Sequence, residues 1–116
     1  MAIVESPAAV VVRTHCGSAE EAGRIARAAV EAGLAACGNV HGPVTSVYRW
    51  QGAVVEAPEW VVELKTLHSR TAALEALIRE RHGYELPAIL VLPVHGGESR
   101  YLDWIATEAS GEPVHP

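Results

Sequence analysis

The chain contains no phenylalanine and a single methionine; its only aromatic residues are three tryptophans and three tyrosines. A core must therefore be assembled from small side chains, chiefly alanine and valine, which gain stability through close packing and burial against other subunits. Basic residues are scarce too. Nine Lys and Arg against 14 Asp and Glu leave a net charge of −5, with no basic stripe on which phosphates could settle, and this argues against nucleic acid. Two cysteines, Cys16 and Cys37, provide neither a disulfide framework nor a C-x-x-C pair, so a reducing cytoplasm is expected. No apolar run approaches the roughly 18 residues of a membrane helix. The opening MAIVESPAAVVVR lacks an early basic region and is interrupted by Glu5 and Pro7, unlike a signal peptide. Walker A and G-x-G-x-x-G motifs are absent, and no G-x-S-x-G accompanies His95-Gly96-Gly97. No catalytic activity is expected.

The most informative stretch is Val44–Leu67, VTSVYRWQGAVVEAPEWVVELKTL. It reads as one long β-hairpin turning at Gln51-Gly52. Val44, Ser46, Tyr48 and Trp50 alternate onto one face, and Trp60, Val62, Leu64 and Thr66 share a face on the return strand. Pro58 marks a bulge or an edge position there. Upstream, Ala8–Thr14 is a valine-rich run suited to a buried central strand. Ser18 and Glu21 form a capping box, followed by an apolar stripe of Ala22, Ile25, Ala26, Ala29 and Val30, with Gly33 as terminator. Leu34–Val40 leads through a Gly42-Pro43 bend into the hairpin. A second helix is predicted over Ser69–Arg81, a buried strand over Ala88–Val94, a turn at Gly96-Gly97, and a last helix capped by Ser99. The order β-α-β-β-α-β predicts an α+β, ferredoxin-like sheet with both helices on one face. One domain spans residues 1–116, with an ordered core of about 8–109 between a loose leader (1–7) and a frayed tail (Ser110–Pro116). The hairpin overhangs so small a domain, and the bare sheet face needs a cover, so self-association is expected.

Five blocks in register resemble the CutA divalent-cation tolerance proteins. They are Leu34-Ala35-Ala36-Cys37-Gly38-Asn39, Val44 to Gly52, Leu64-Lys65-Thr66, His82-Gly83-Tyr84-Glu85-Leu86-Pro87 and Tyr101-Leu102-Asp103-Trp104. The resemblance runs from about Val10 to Ile105. It implies a ferredoxin-like homotrimer built through the long hairpin, related in architecture to the PII signalling proteins, and a role in tolerance of copper and other divalent metals. The chain departs from the family pattern at three places: Gly83 replaces the proline of His-Pro-Tyr, Ala88 replaces a glutamate, and Thr14-His15-Cys16-Gly17 replaces Thr-x-Pro.

Imidazole and thiolate suit copper and zinc. The metal candidates are His82 and Cys16, with Glu85, then His15 and, with less support, His41; the alternative for His82 is a contact with the carbonyl end of the second helix. Cys37 reads as a small core residue. Tyr48, Trp50 and Trp60 read as anchors of the trimer interface, or else as the lining of a ligand cleft. Arg49 and Lys65 pair with Glu63 or Glu56 in a cross-strand ladder. Lys65 and Tyr84, with Glu85, form a polar group of an intersubunit cleft that takes an anion, a metal, or only an internal ion pair. Two functions follow: copper or other divalent-metal binding, or a PII-like trimer that binds a small metabolite and signals to a protein partner.

Overall fold

The computed structural model describes residues 2–6 and 8–111. Strand β1 (Ile3–Glu5) is followed by β2 (Ala9–Cys16), helix α1 (Ala19–Glu31), the long strands β3 (Cys37–Trp50) and β4 (Ala53–Leu67), and a 3-10 turn (His68–Arg70). Helix α2 (Thr71–Arg81), strands β5 (Ile89–Pro93) and β6 (Gly96–Glu98), and helix α3 (Ser99–Glu108) complete the chain. The main sheet has the antiparallel order β3-β4-β2-β5, the ferredoxin-like arrangement expected from the sequence.

From Val10 onward the β2 sequence AVVVRTHC alternates, after a buried Ala9. Val10, Val12, Thr14 and Cys16 are buried, and Val11, Arg13 and His15 are half-exposed on the other face. Val62, Leu64 and Thr66 of β4 point the same way as the buried set. They pack with Ala22, Ile25, Ala26 and Ala29 of α1 and with Leu74 and Ile78 of α2. Small residues allow the close approach: a Cβ on Gly38 would stand 3.1 Å from the Ala26 methyl. Helix α3 seals a smaller cluster of Ala36, Ile105 and Ala109. Among the described residues the opposite face carries neither α1 nor α2; only its Ala9–Leu67 end lies beside α3, and the remainder is the helix-free face.

The hairpin turns at Gln51 and Gly52, both with positive φ, as a two-residue turn of this hand requires. Its strand β3 is longer than expected. Gly42 and Pro43 do not bend the chain away from the sheet; they form an irregularity in a continuous strand, where the register shifts between His41 and Val44. Directly paired residues share a face. Cys37, Asn39 and His41 pair with Lys65, Glu63 and Val61, whereas beyond the shift Val44, Ser46 and Tyr48 pair with Glu59, Ala57 and Val55. Odd positions thus face away from the helices before the shift, and even positions after it. Pro58 is accommodated because β2 stops at Cys16, opposite Trp60, so the β2 side of β4 at Pro58 needs no donor.

Three local expectations are corrected. Residues 3–5 of the supposed leader form β1, paired antiparallel with β6; residues 1, 7 and 112–116, the last forming most of the expected tail, lie outside the described residues. Gly96-Gly97 is therefore strand, and a Cβ on Gly96 would lie 2.4 Å from the Val4 carbonyl oxygen. Helix α3 is capped by Glu98, whose carboxylate accepts the Tyr101 N–H at 2.8 Å, and Ser99 is its first helical residue.

The register shift is held by a tight fit. A Cβ on Gly42 would come within 2.8 Å of the Trp60 ring and 2.9 Å of the Glu59 carbonyl oxygen. Gly42→Ala is therefore expected to lose about 1–3 kcal/mol of unfolding free energy in urea denaturation. Undiminished stability would show that the Trp60 ring moves aside freely.

Candidate functional site

Two neighbouring features lie where β2 ends, one on each side of the sheet. On the helix side, the chain leaves α2 at His82, whose side chain is wholly buried. Its Nε2 donates to the His15 carbonyl oxygen at 2.7 Å, and its Nδ1 accepts the Tyr84 N–H at 3.1 Å. This is the pattern of the Nε2–H tautomer. His82 thus ties the α2–β5 connection to the end of β2 and does not turn back onto the α2 carbonyls.

Beside it stand Cys16 and Glu21. Cys16 Sγ is 3.9 Å from His82 Nε2, and Glu21 Oε1 is 3.7 Å from His82 Nδ1. Donor atoms of the three residues lie within 4.8 Å of one another. Glu21 reaches this place because only half of the expected capping box forms. Ser18 Oγ accepts the Glu21 N–H at 3.1 Å, but the Glu21 carboxylate is turned inward, with Oε1 buried and without a hydrogen-bond partner. Gly83 makes the room, since a Cβ there would lie 2.8 Å from Glu21 Oε2.

Burial first, and the negative charge of Glu21 second, push the Cys16 thiol up to about 12. A buried thiol next to an unpartnered carboxylate and an imidazole is an arrangement that a cation would stabilise. The sulfur, nitrogen and oxygen donors fit a borderline or soft divalent ion such as zinc or copper. Holding one there would require loss of the thiol proton and release of one His82 hydrogen bond.

On the helix-free face, Tyr84 curls past Gly17, and its hydroxyl donates to Glu59 Oε2 at 2.9 Å. Burial, then the bond to Glu59, push the Tyr84 hydroxyl well above the usual tyrosine range. Glu59 Oε1 faces His15 Nδ1 at 3.5 Å. These residues form part of a cleft of about 860 Å³ between the hairpin (Ser46–Tyr48 and Trp50) and residues 83–88.

Of the residues singled out from sequence, Cys16 and His82 come together, with Glu21 as the third donor. Glu85 is exposed and lines the cleft, apart from that cluster. Lys65 does not line this cleft within its own chain: six residues along β4 from Glu59, about 20 Å at strand rise, its Nζ donates to Asn39 Oδ1 at 2.9 Å. Glu63 is taken by Arg13 at 2.8 Å and approached by His41 at 3.4 Å, not by Arg49 or Lys65, and Arg13 holds its carboxyl below the usual range. Tyr48 and Trp50 face the cleft, whereas Trp60 lies on the opposite face against the core and well short of the hairpin tip. Cys37 is half-exposed on the helix-free face, 3.7 Å from Asn39 Oδ1, and is no core residue. Glu21 and Glu59 were the residues missed. Glu21 was hidden by its capping position, while Glu59 had a signal, its two-residue alternation with buried Val61.

The raised Cys16 value carries a sign. Below pH 9.0 the thiol is protonated in both folded and unfolded chains. Between 9.0 and about 12 the unfolded chain gives up the proton first, so native stability falls as pH rises. Urea denaturation across this window should show a steeper alkaline loss for the wild type than for Cys16→Ala. Parallel curves would mean the thiol is not held up.

The sequence profile of the CutA1 divalent ion tolerance protein family matches residues 10–108. A divalent-cation tolerance protein CutA from Thermus thermophilus is 43% identical over 95 residues, covering 82% of this chain and 92% of that one. Mouse protein CutA is 40% identical over 90 residues, 78% of this chain but 51% of its own length, so the chain spans about half of that mammalian relative. The solved structure of CutA from Synechococcus elongatus superposes with a TM-score of 0.88 at 35% identity, covering 93% of this chain and 96% of that one. With matches of this extent in both sequence and fold, the chain belongs to the CutA1 divalent ion tolerance family.

Proposed function

We propose that the protein binds a divalent metal, copper foremost, through Cys16, His82 and Glu21, and does so as a homotrimer in a reducing compartment such as the cytoplasm. The observation that carries the metal reading is the convergence of a buried thiol, an imidazole and an inward carboxylate oxygen lacking any hydrogen-bond partner. A bound cation would offset the negative charge that the thiolate and Glu21 would otherwise share. The family's association with divalent ions supports the same reading.

Support for self-association comes from the sheet. Strands β3 and β5 are its two edges, and Val47, Leu90 and Val91 stand 63%, 58% and 46% exposed along them. Apolar side chains on open edges favour pairing with another copy. A second reading, a PII-like trimer that binds a small metabolite, is favoured by the 860 Å³ cleft, which is of ligand size.

Calorimetric titration with copper(II) should give saturable binding that strengthens with pH, because the thiol proton must leave. Cys16→Ser and Glu21→Gln are each expected to weaken it by more than about tenfold. Gly83→Ala should weaken it as well by displacing the Glu21 carboxylate. Unchanged affinity in Cys16→Ser would remove this site. Leu90→Glu should lower the mass seen in sedimentation; an unaltered assembly would show that β5 is not a contact edge.

A further inference from the structure

The cleft on the helix-free face has a charge pattern that the metal reading does not use. Glu59 is the only Asp, Glu, Lys or Arg among the described residues that is buried, at 7% exposure. Its two oxygens meet a neutral hydroxyl, that of Tyr84, and the His15 ring at the longer distance of 3.5 Å. Glu63, on the same face, has the Arg13 guanidinium at 2.8 Å; among the described residues of the chain Glu59 has no such partner and no Lys or Arg lines the cleft. Burying a carboxylate is costly unless a positive group compensates it. The cleft walls are otherwise apolar and aromatic, with Tyr48, Trp50 and Tyr84 supplying rings and Leu86 and Pro87 aliphatic surface, while Glu85 adds a second carboxylate.

We propose that this cleft binds an organic cation, an ammonium group carried on a small apolar or aromatic body. The ammonium donates to Glu59, completing the pairing that Tyr84 and His15 begin, and its body packs among the rings, where cation–π attraction adds to apolar burial. Anionic metabolites and nucleoside phosphates are disfavoured, because they would meet two carboxylates and no fixed positive charge. The volume is that of a small-molecule site and far exceeds what a bare ion fills. The proposal rests on the cleft reading above and uses none of the donor atoms of the Cys16–Glu21–His82 cluster, which lie on the other side of the sheet.

The test compares three probes with one ring and different charge, 2-phenylethylammonium, 2-phenylethanol and phenylacetate, titrated calorimetrically into the native assembly at neutral pH. Saturable binding of the ammonium at millimolar or lower concentration is expected, with the alcohol weaker by roughly tenfold or more and phenylacetate silent. Glu59→Gln keeps the shape of the side chain and an acceptor for Tyr84; it should erase the preference for the ammonium over the alcohol. Glu85→Gln, on an exposed segment, should reduce that preference by less, and it serves if the Glu59 variant folds poorly. Phenylacetate or the alcohol binding as tightly as the ammonium would overturn the cationic class while leaving a small-molecule cleft in place. Full ammonium preference in Glu59→Gln would overturn it likewise. No saturable binding by any probe would overturn both the class and the cleft reading.

Discussion

The imidazole of His82 sets the geometry on which both candidate sites depend. Its two nitrogens are used at once, one donating to the carbonyl of His15 and the other accepting the N–H of Tyr84. The first bond closes the end of α2 onto the end of β2, which places Cys16 beside the ring. The second bond turns the chain so that Tyr84 crosses the end of the sheet at Gly17 and reaches Glu59 on the far face. A wholly buried imidazole whose hydrogen bonds are both satisfied makes a rigid junction, because breaking either bond strands a polar group away from water. The thiol cluster and the cleft are thus built from consecutive residues of one connection, yet they open to different sides of the sheet.

The second constraint is the register shift in β3. A strand with a strict period of two would carry the odd-numbered set, Cys37, Asn39 and His41, along one face to its end. The one extra residue at Gly42-Pro43, two residues there opposing Trp60 alone, exchanges the faces, so Ser46, Tyr48 and Trp50 join Glu59 on the helix-free side. This exchange brings aromatic rings to a buried carboxylate. It also separates Tyr48 and Trp50 from Trp60, which stays on the core face and fills the space left by Gly42. A smaller device works in the same way at Gly83, where a missing Cβ admits the carboxylate of Glu21.

Charge is distributed unevenly over this scaffold. Arg13 neutralises Glu63 in the middle of the helix-free face, and Lys65 is engaged by Asn39 at one end. In the cleft by the hairpin arm no Lys or Arg is among the described lining residues, leaving Glu59 and Glu85 in a largely apolar surround. On the helix side, burial and then the charge of Glu21 raise the thiol proton affinity of Cys16. Each side therefore presents unneutralised negative charge, but the donors differ: sulfur and imidazole in a tight cluster on one side, oxygen and aromatic rings in a wide cleft on the other.

The division between what was legible and what was not follows the range of the forces involved. Periodicity and local sterics determined β2, both main helices, the Gln51-Gly52 turn and the ferredoxin-like order, because the period of apolar residues and the need for positive φ are properties of neighbours in the chain. Ligand chemistry and family resemblance also marked out Cys16 and His82. The carboxylate expected beside them was Glu85, whereas the one that stands there is Glu21. Glu21 has the position of a capping residue, and only the arrival of His82 from 61 residues away, with room made at Gly83, turns it inward. The faces of the hairpin were likewise set by a shift whose fit to Trp60 exists only across paired strands. The β1–β6 pair and the burial of Glu59 also came from contacts distant in sequence. A residue's type and spacing constrain its local conformation, but its partners are decided by packing among segments that meet only in the folded chain.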